Sequence, residues 1–243
     1  MCTVTYIPYN KGCYITSNRD EKAERPKAFT PEIGNINGAS LLFPKDAAAG
    51  GSWIAINQNG NTGVLLNGAF EKHLSTPPYK KSRGLVFLDI ISKQKPFNYF
   101  QEINLQNIEP FTLILIDTGN LFECRWDGQN KHSVELDKRQ CYIWSSATLY
   151  TPATIIERKK WFSKWLINNC NPTNEEILKF HHFAGDGDIE NNVRMNREGK
   201  MLTVSITGIN STLASATMQH IDLLDGIITR KQLNFETKLL LSK

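Results

Sequence analysis

The N-terminal segment carries a strand–turn–strand pattern that constrains the fold more than any other feature. Two runs rich in β-branched and aromatic residues, 2–7 and 13–16, flank an Asn-Lys-Gly turn. A turn centred there pairs positions whose numbers sum to about 21 or 22, so we expect Cys2 to face Arg19 or Asp20. The pattern therefore predicts that a thiol, a guanidinium and a carboxylate converge at the open end of a hairpin.

Cys2 follows Met1 directly. Removal of Met1 would leave a thiol beside a free α-amine, whose reference pKa of roughly 7.7 to 8.0 lets it accept a proton near neutral pH. Arg19 is expected to lower the pKa of the thiol, and Asp20 to orient the α-ammonium. This is the chemistry of an N-terminal-nucleophile (Ntn) hydrolase. In the alternative interpretation, Cys2 is a buried strand residue and the Arg-Asp pair is structural.

A second hairpin is predicted where residues 50–56 lead through an Asn-rich turn into residues 62–67. Its register would bring Asn67 beside Gly51 and Ser52. A side-chain amide at this point is a candidate oxyanion donor, and the neighbouring glycines would let a substrate approach the backbone. A turn-forming Asn at a strand end is the equally good alternative.

Hydrophobic periodicity and capping residues predict four helices, at residues 80–93, 97–106, 151–166 and 174–183. The remaining apolar runs between turn residues predict strands at 111–117, 121–126, 133–136, 141–146, 202–207 and 212–221. Hairpins in two blocks, with helices between and beyond them, indicate an α+β layered protein with mainly antiparallel sheets. The length fits a single domain over residues 1–243.

Composition argues against several classes of protein. The net charge of +4 is mild, and its two short basic clusters at 80–83 and 158–160 suit solvated helix faces better than a nucleic-acid surface. Five cysteines without a Cys-x-x-Cys pair predict neither a disulfide framework nor a metal site. The sequence lacks a secretory signal or transmembrane segment, so a soluble protein in the reducing cytoplasm is expected.

The remaining candidate ligand residues predict no metal or cofactor. Asp186 and Asp188 lie in a Gly-rich segment without the distal Glu of an EF-hand, so a turn is expected there. His181 and His182 stand near a helix C-terminus, which is a favourable place for an imidazole. We assign none of these side chains to a metal.

Three motifs together resemble the NRDE family, which includes the transport and Golgi organization proteins. They are Met1-Cys2, the tetrad at residues 18–21 that spells Asn-Arg-Asp-Glu, and the Gly-Gly-Ser-Trp-Ile run at 50–54. The resemblance implies a four-layer αββα sandwich of the Ntn-hydrolase type. It also implies similarity to the bile-salt hydrolases and penicillin V acylases, which cleave linear amides.

The resemblance implies roles for individual residues. Cys2 would be the nucleophile, Arg19 and Asp20 would correspond to the Arg and Asp after the first hairpin, and Asn67 to the Asn that closes the next one. In the acylases the Arg and Asp are separated by two residues, whereas here they are adjacent. Glu21 could therefore take the carboxylate role.

Two further positions of the acylase pattern match this chain less directly. One holds a different residue type, and the other has two possible matches. A second acylase Asn corresponds to Ser146, whose hydroxyl donates one hydrogen bond over a shorter reach than an amide. The late acylase Arg corresponds to Arg194 or Arg197. The resemblance thus adds Glu21, Ser146 and these two arginines as candidate substrate-binding residues.

The leading functional hypothesis is an N-terminal cysteine hydrolase that cleaves a non-peptide C–N amide bond of a small or acylated substrate. The main alternative is a non-catalytic protein on the same scaffold that binds or traffics haem or an acyl lipid. The sequence has no Cys-x-x-Cys-His haem motif, although Cys2 could serve as an axial ligand. A third hypothesis is an interaction protein in which the Arg-Asp pair serves stability alone.

Overall fold

A computed structural model describes residues 3–236, and Cys2, the candidate nucleophile, lies outside the described residues. The described chain forms two antiparallel sheets, A and B. Sheet A contains β1 (Thr3–Tyr9), β2 (Gly12–Lys22), β10 (Tyr142–Ser145), β11 (Asn196–Arg197), β12 (Met201–Thr212), β13 (Ser215–Asp222) and β14 (Ile228–Asn234). Sheet B contains β3 (Phe29–Ile36), β4 (Ala39–Lys45), β5 (Ile54–Asn57), β6 (Thr62–Asn67), β7 (Phe111–Asp117), β8 (Asn120–Trp126) and β9 (Lys131–Leu136).

Four helices cover the outer faces of these sheets: α1 (Arg83–Ile91), α2 (Pro96–Glu102), α3 (Pro152–Asn168) and α4 (Asn174–Phe183). One apolar core joins α1 and α2 to sheet B, a second fills the space between the sheets, and a third joins α3 and α4 to sheet A. The layer order is therefore helix, sheet, sheet, helix. The predicted α+β fold with an αββα sandwich is confirmed.

The first hairpin has the predicted register over its described residues. Thr3 pairs with Asn18 and Tyr9 with Gly12, so the paired positions sum to 21. β1 is also flanked by β10, where Thr3 pairs with Ser145. On its other side β2 pairs with β12, which places the hairpin in the interior of sheet A.

Side-chain alternation explains why this hairpin is so heavily buried. Ile15 faces the core between the sheets, whereas Asn18 faces the helical layer and donates to the carbonyl of His181 on α4. Both faces of a central strand are covered in a four-layer protein, so polar residues on it must find partners inside. The two faces of β2 thus have separate polar environments.

Several element boundaries differ from the prediction. The second helix ends at Glu102 instead of residue 106, because Ile103 leaves helical geometry with ψ of 134°. The strand predicted at 202–207 continues to Thr212, whose hydroxyl oxygen accepts from Ala214 and Ser215 and ends it in a turn. The additional strands β3, β4, β11 and β14 were not predicted.

The helix starts are set by the capping residues of the sequence. Thr151 caps α3 and is followed by Pro152 in the first turn, as predicted. Thr173 and Glu176 form a capping box at the start of α4. Among residues 3–236, no helix has the length and apolar content needed to cross a membrane.

His181 makes the packing of α4 on sheet A dependent on pH. Its ring is fully buried between Thr5 and Asn18, with contacts of 2.7 and 2.6 Å, and burial lowers its pKa from 6.5 to about 3. Between pH 3 and pH 6.5 the His181 ring is protonated in the unfolded chain and neutral in the folded chain. The stabilising contribution of the neutral ring is therefore complete above about pH 6.5 and falls as the pH decreases.

We expect His181→Gln to reduce the pH dependence of stability. The wild-type free energy of unfolding should fall by about 2 kcal/mol more than that of the variant between pH 7 and pH 5, measured by urea denaturation. Asn168→Gln, which alters an exposed and uncharged side chain at the end of α3, should retain the wild-type slope. Equal slopes in the wild type and His181→Gln would show that the folded protein tolerates the imidazolium.

Candidate active site

A polar cavity of about 470 Å³ opens where β2 of sheet A approaches the start of β5, the end of β6 and the N-terminus of α1. Arg19, Glu21 and Asn67, three of the predicted site residues, line it together. Asp46, Trp53 and Arg83 also line it and were not predicted as site residues. The cavity thus collects side chains from both sheets and from one helix.

A buried ion pair joins the two sheets at the floor of the cavity. The Arg19 guanidinium, from β2, donates from Nη2 to Oδ2 of Asp46 at 2.5 Å, and both residues are buried. Arg25 adds two hydrogen bonds of 2.9 Å to the same carboxylate. Glu21 approaches Arg19 and Arg25 at 3.6 and 3.3 Å. Two cations and two carboxylates therefore form one network.

Asp46 is the centre of this network. Burial alone would raise the pKa of its carboxyl group, but hydrogen bonds from Arg25 and from the backbone N–H of Ala49 outweigh burial and lower the pKa. The N–H of Ala48 also donates to Asp46 at 3.1 Å. Asp46 is thus an ionised anchor for the arginines at neutral pH. Its position, directly after β4, could have been found only by predicting β3 and β4.

Trp53 forms the apolar side of the Arg19 environment. The guanidinium carbon of Arg19 lies 4.7 Å from the centroid of the indole ring, in cation–π geometry. Trp53 is 2% exposed, and its Nε1 has no hydrogen-bond partner among the described residues. The ring and Asp46 together restrict Arg19 to one orientation beside the cavity.

The start of α1 is held against the start of β5 by a close backbone contact. A Cβ atom on Gly51 would lie 2.4 Å from the carbonyl carbon of Gly84 and 2.6 Å from the nitrogen of Leu85. The N–H of Ser52 donates to the carbonyl of Gly84 at 3.3 Å. The glycine was predicted to let a substrate approach the backbone, whereas at Gly51 the close space is occupied by the backbone of the helix that forms the cavity wall.

Arg83 at the first position of α1 forms the outer part of the cavity. Its guanidinium pairs with Glu109 at 3.0 Å and donates to the carbonyl of Pro110 at 3.2 Å. Burial lowers the pKa of Arg83 despite the opposing effect of Glu109. Lys81 and Tyr79 complete this side of the lining.

Ser146 supports Asn67 from behind. Asn67 ends β6 and lines the cavity, and its carbonyl oxygen accepts a 2.8 Å hydrogen bond from the Ser146 hydroxyl. Ser146 is fully buried and does not line the cavity. The structure thus brings these two predicted residues together through the backbone of Asn67.

Asp20 lies apart from Arg19, because adjacent strand residues point to opposite faces. Its carboxylate faces the helical side of sheet A, where it accepts hydrogen bonds from Tyr150 at 2.6 Å and Thr203 at 2.5 Å. Asp20 is 3% exposed and does not line the cavity. The predicted pair is therefore divided between two environments on either side of β2.

The two late arginines also lie outside the cavity lining. Arg194 contacts the half-buried ring of His182 at 2.6 Å. Arg197 donates to the carbonyl of Leu149 at 3.2 Å from both terminal nitrogens and lies 5.5 Å from the Tyr150 ring. Arg197 and Asp20 thus both contact Tyr150.

The described residues contain no group of three or more His, Cys, Asp or Glu side chains arranged to hold a metal ion. Four cysteines fall within residues 3–236, and all four are free thiols. Burial raises the pKa of Cys13 and of Cys124 to about 12, so neither is an activated nucleophile. The nucleophile predicted at Cys2 stays a prediction.

Comparison with solved structures identifies the class of fold. The chain is similar to the mutant C2A of the conjugated bile acid hydrolase from Clostridium perfringens, with a TM-score of 0.61, 10% identity and 97% of each chain covered. It is also similar to the Caenorhabditis elegans ortholog of N-acylethanolamine-hydrolyzing acid amidase, with a TM-score of 0.58, 12% identity and coverage of 86% of this chain and 92% of that one. The fold is thus that of an Ntn hydrolase.

The sequence itself matches the family Transport and Golgi organisation 2 over residues 1–230. This chain belongs to that family, which confirms the resemblance expected from its N-terminal motifs. No curated protein matches the chain.

We expect Asp46→Asn to destabilise the protein by about 3 to 5 kcal/mol, because it leaves the buried Arg19 guanidinium without its principal counter-ion. Urea denaturation at pH 7 measures this loss. Asp137→Asn is the matched control, since it removes a carboxylate whose partner, Arg139, is exposed, and it should cost much less stability than Asp46→Asn. Equal losses in the two variants would refute the anchoring role of Asp46.

Proposed function

We propose that this protein is an N-terminal cysteine hydrolase that cleaves a C–N amide bond outside peptides, with Cys2 as its nucleophile after removal of Met1. The observation that carries the proposal is the cavity beside the first hairpin, into which sheet A contributes Arg19 and sheet B contributes Asn67. β1 begins at Thr3, the residue bonded to Cys2, and its partner strand contains Arg19. The Ntn-hydrolase fold supports this assignment.

In the proposed mechanism, the Cys2 thiol gives its proton to the α-amine, and the sulfur attacks the amide carbonyl carbon. The C–N bond then breaks, and the α-ammonium returns the proton to the leaving amine. This step leaves an acyl thioester on Cys2. Water, deprotonated by the same α-amine, attacks the thioester and releases a carboxylic acid and the free thiol.

The lining residues have distinct roles in this scheme. Asn67 would donate from its side-chain amide to the oxyanion, and the Ser146 hydrogen bond to the Asn67 carbonyl would hold that donor in place. Arg19, fixed by Asp46 and Trp53, would orient the thiol or the substrate carbonyl. Asp20, on the other side of β2, would orient the α-ammonium.

The charge of the cavity favours a substrate with polar or ionised groups. Its lining includes Arg25, Lys81 and Arg83 as well as the carboxylates of Glu21 and Glu109. One named neighbour is a conjugated bile acid hydrolase and the other is an amidase that hydrolyses N-acylethanolamines, and the second name describes an acyl group joined to a small amine. We propose a small acylated amine as the substrate class.

Binding or trafficking of haem or an acyl lipid stays the alternative prediction. Seven of the sixteen residues that line this cavity are charged, whereas haem and acyl chains are largely apolar. These features favour the hydrolase over a haem carrier. A haem titration of the wild type and Cys2→Ala, followed by absorption spectroscopy, would support the alternative if the two spectra differed.

We expect Cys2→Ala to abolish both hydrolysis and acyl-enzyme formation. The experiment uses protein shown by intact mass to lack Met1 and a panel of aminomethylcoumarin amides with acyl groups of increasing length. Mass spectrometry after acid quenching would detect the thioester as an acyl adduct on the N-terminal peptide. Cys170→Ala, which changes an exposed thiol near the end of α3, should retain both signals. Full turnover by Cys2→Ala would eliminate the mechanism.

We expect Asn67→Ala to lower kcat by about 10²- to 10³-fold, with a smaller change in KM, because an oxyanion donor acts mainly in the transition state. Ser146→Ala should lower kcat less, since the amide donor would remain. Steady-state kinetics on the best amide of the panel measures both effects. Asn168→Ala, at an exposed position that ends α3, is the control. A kcat for Asn67→Ala equal to that of the control would remove Asn67 from the oxyanion site.

A further inference from the structure

Ser205 of β12 carries a buried hydroxyl group without a hydrogen-bond partner in the described part of the chain. The residue is 4% exposed, and its Oγ makes no hydrogen bond within residues 3–236. Buried hydroxyls in folded proteins are almost always hydrogen-bonded, to the protein or to an ordered water, because an unpaired polar group in the interior is unfavourable. The Ser205 hydroxyl therefore indicates a bound molecule that can donate or accept a hydrogen bond.

A β-bulge turns Ser205 to the same face of sheet A as Arg19. Thr203 pairs with Asp20 and Ser205 pairs with Arg19, and the register shifts between the two pairs. In a regular strand positions 203 and 205 would share a face, whereas Asp20 and Arg19 are neighbours on β2 and face opposite sides. The bulge resolves this conflict, because an extra residue in one strand changes the face to which the next side chain points. Thr203 thus bonds to Asp20 on the helical side, and Ser205 lies on the Arg19 side.

The pairing of β12 with β13 brings His220 and Asp222 to this same face. Thr207 pairs with His220, and Ser205 pairs with Asp222. His220 is buried, and its Nδ1 lies 2.8 Å from the Thr207 hydroxyl, so Nε2 is the ring nitrogen available to a bound molecule. Burial lowers the pKa of His220 from 6.5 to about 4, so the ring is neutral at pH 7 and offers one donor and one acceptor nitrogen.

A small cavity of about 10 Å³ lies beside these groups. Its lining includes the four side chains of this face, Arg19, Ser205, His220 and Asp222. One water molecule needs a cavity of roughly 10 to 15 Å³ and two to four polar partners. The charged groups already have counter-ions, since Arg19 is paired with Asp46, and Asp222 with Lys27 at 3.2 Å. The cavity therefore suits a neutral polar molecule of the size of water better than an ion.

We propose that this cavity is a binding site for one ordered water molecule, which bridges the Ser205 hydroxyl, Nε2 of His220 and the Arg19 guanidinium. Asp46 accepts from Nη2 of Arg19 at 2.5 Å, and a guanidinium has five N–H donors, so donors remain for a water oxygen. Arg19 lines both this cavity and the candidate active site. Asp46 holds it from sheet B, and the water holds it from β12 and β13 of sheet A. The water is thus a positioning element for Arg19 that requires no catalysis.

High-resolution crystal structures of the wild type, Ser205→Ala and Ser211→Ala, grown without halide, test the site directly. We expect the wild type to show one water within about 2.7 to 3.2 Å of Ser205 Oγ and His220 Nε2. Ser205→Ala should lose this water, because one of its partners is removed. Ser211→Ala is the matched control and should keep it, since it removes another buried hydroxyl of β12 that does not line the cavity.

Nuclear magnetic resonance of protein with isotope-labelled histidine provides an independent measurement in solution. We expect magnetisation transfer from a long-lived water to the His220 ring in the wild type and in Ser211→Ala, and its loss in Ser205→Ala. The His220 ring nitrogen signals should shift in Ser205→Ala alone, because Nε2 loses its hydrogen-bond partner.

A wild-type cavity without a water, or a water that persists at full occupancy in Ser205→Ala, would overturn the proposal. Wild-type crystals soaked in bromide supply a further test, because an anomalous peak in the cavity would show that it binds an anion instead of water. If Ser205→Ala does not fold, the wild-type crystals and the wild-type magnetisation transfer decide alone. Failure of the proposed function has a different signature, namely amide hydrolysis that persists in Cys2→Ala.

Discussion

The ion pair between Arg19 and Asp46 is the interaction on which the candidate site depends. Arg19 belongs to β2 of sheet A, whereas Asp46 follows β4 of sheet B, so the 2.5 Å contact fastens the two sheets at the edge of the cavity. Neither group could be buried alone, because an uncompensated charge in the interior is costly. Arg25 and two backbone N–H groups complete the coordination of Asp46. The pair therefore fixes the orientation of the guanidinium and links the two sheets at this point.

Strand alternation determines how the Asn-Arg-Asp-Glu tetrad is used. Arg19 and Glu21 face the cavity, whereas Asn18 and Asp20 face α3 and α4. One strand thus carries two polar systems that lie on opposite faces of sheet A. The system on the helical side includes Thr3, which pairs with Asn18 and accepts from Arg158. The start of β1 is thus joined to the buried polar network on the helical side of sheet A.

The sequence predicts the hairpins and helices well, because their signals are local. The turn at residues 10–12 determines the register of β1 and β2, and Thr151 and Thr173 mark the starts of α3 and α4. The additional strands β3 and β4 carry little alternation: β3 is mostly exposed, and most of β4 is buried. Asp46 is located only once these strands are known. Arg158 was likewise taken as part of a solvated basic cluster, because periodicity does not reveal that one member of an Arg-Lys-Lys run points inward.

The same contrast explains why the cavity could be predicted only in part. Arg19, Glu21 and Asn67 come from short motifs, whereas Asp46, Arg83 and Glu109 come from three loops or element ends that the sheet topology brings together. Long-range pairing of this kind depends on which strands become neighbours, and no short sequence pattern encodes it. The residues that hold Arg19 in place are thus less visible in the sequence than Arg19 itself. A motif identifies the reactive groups, and the fold supplies the counter-charges that make their burial tolerable.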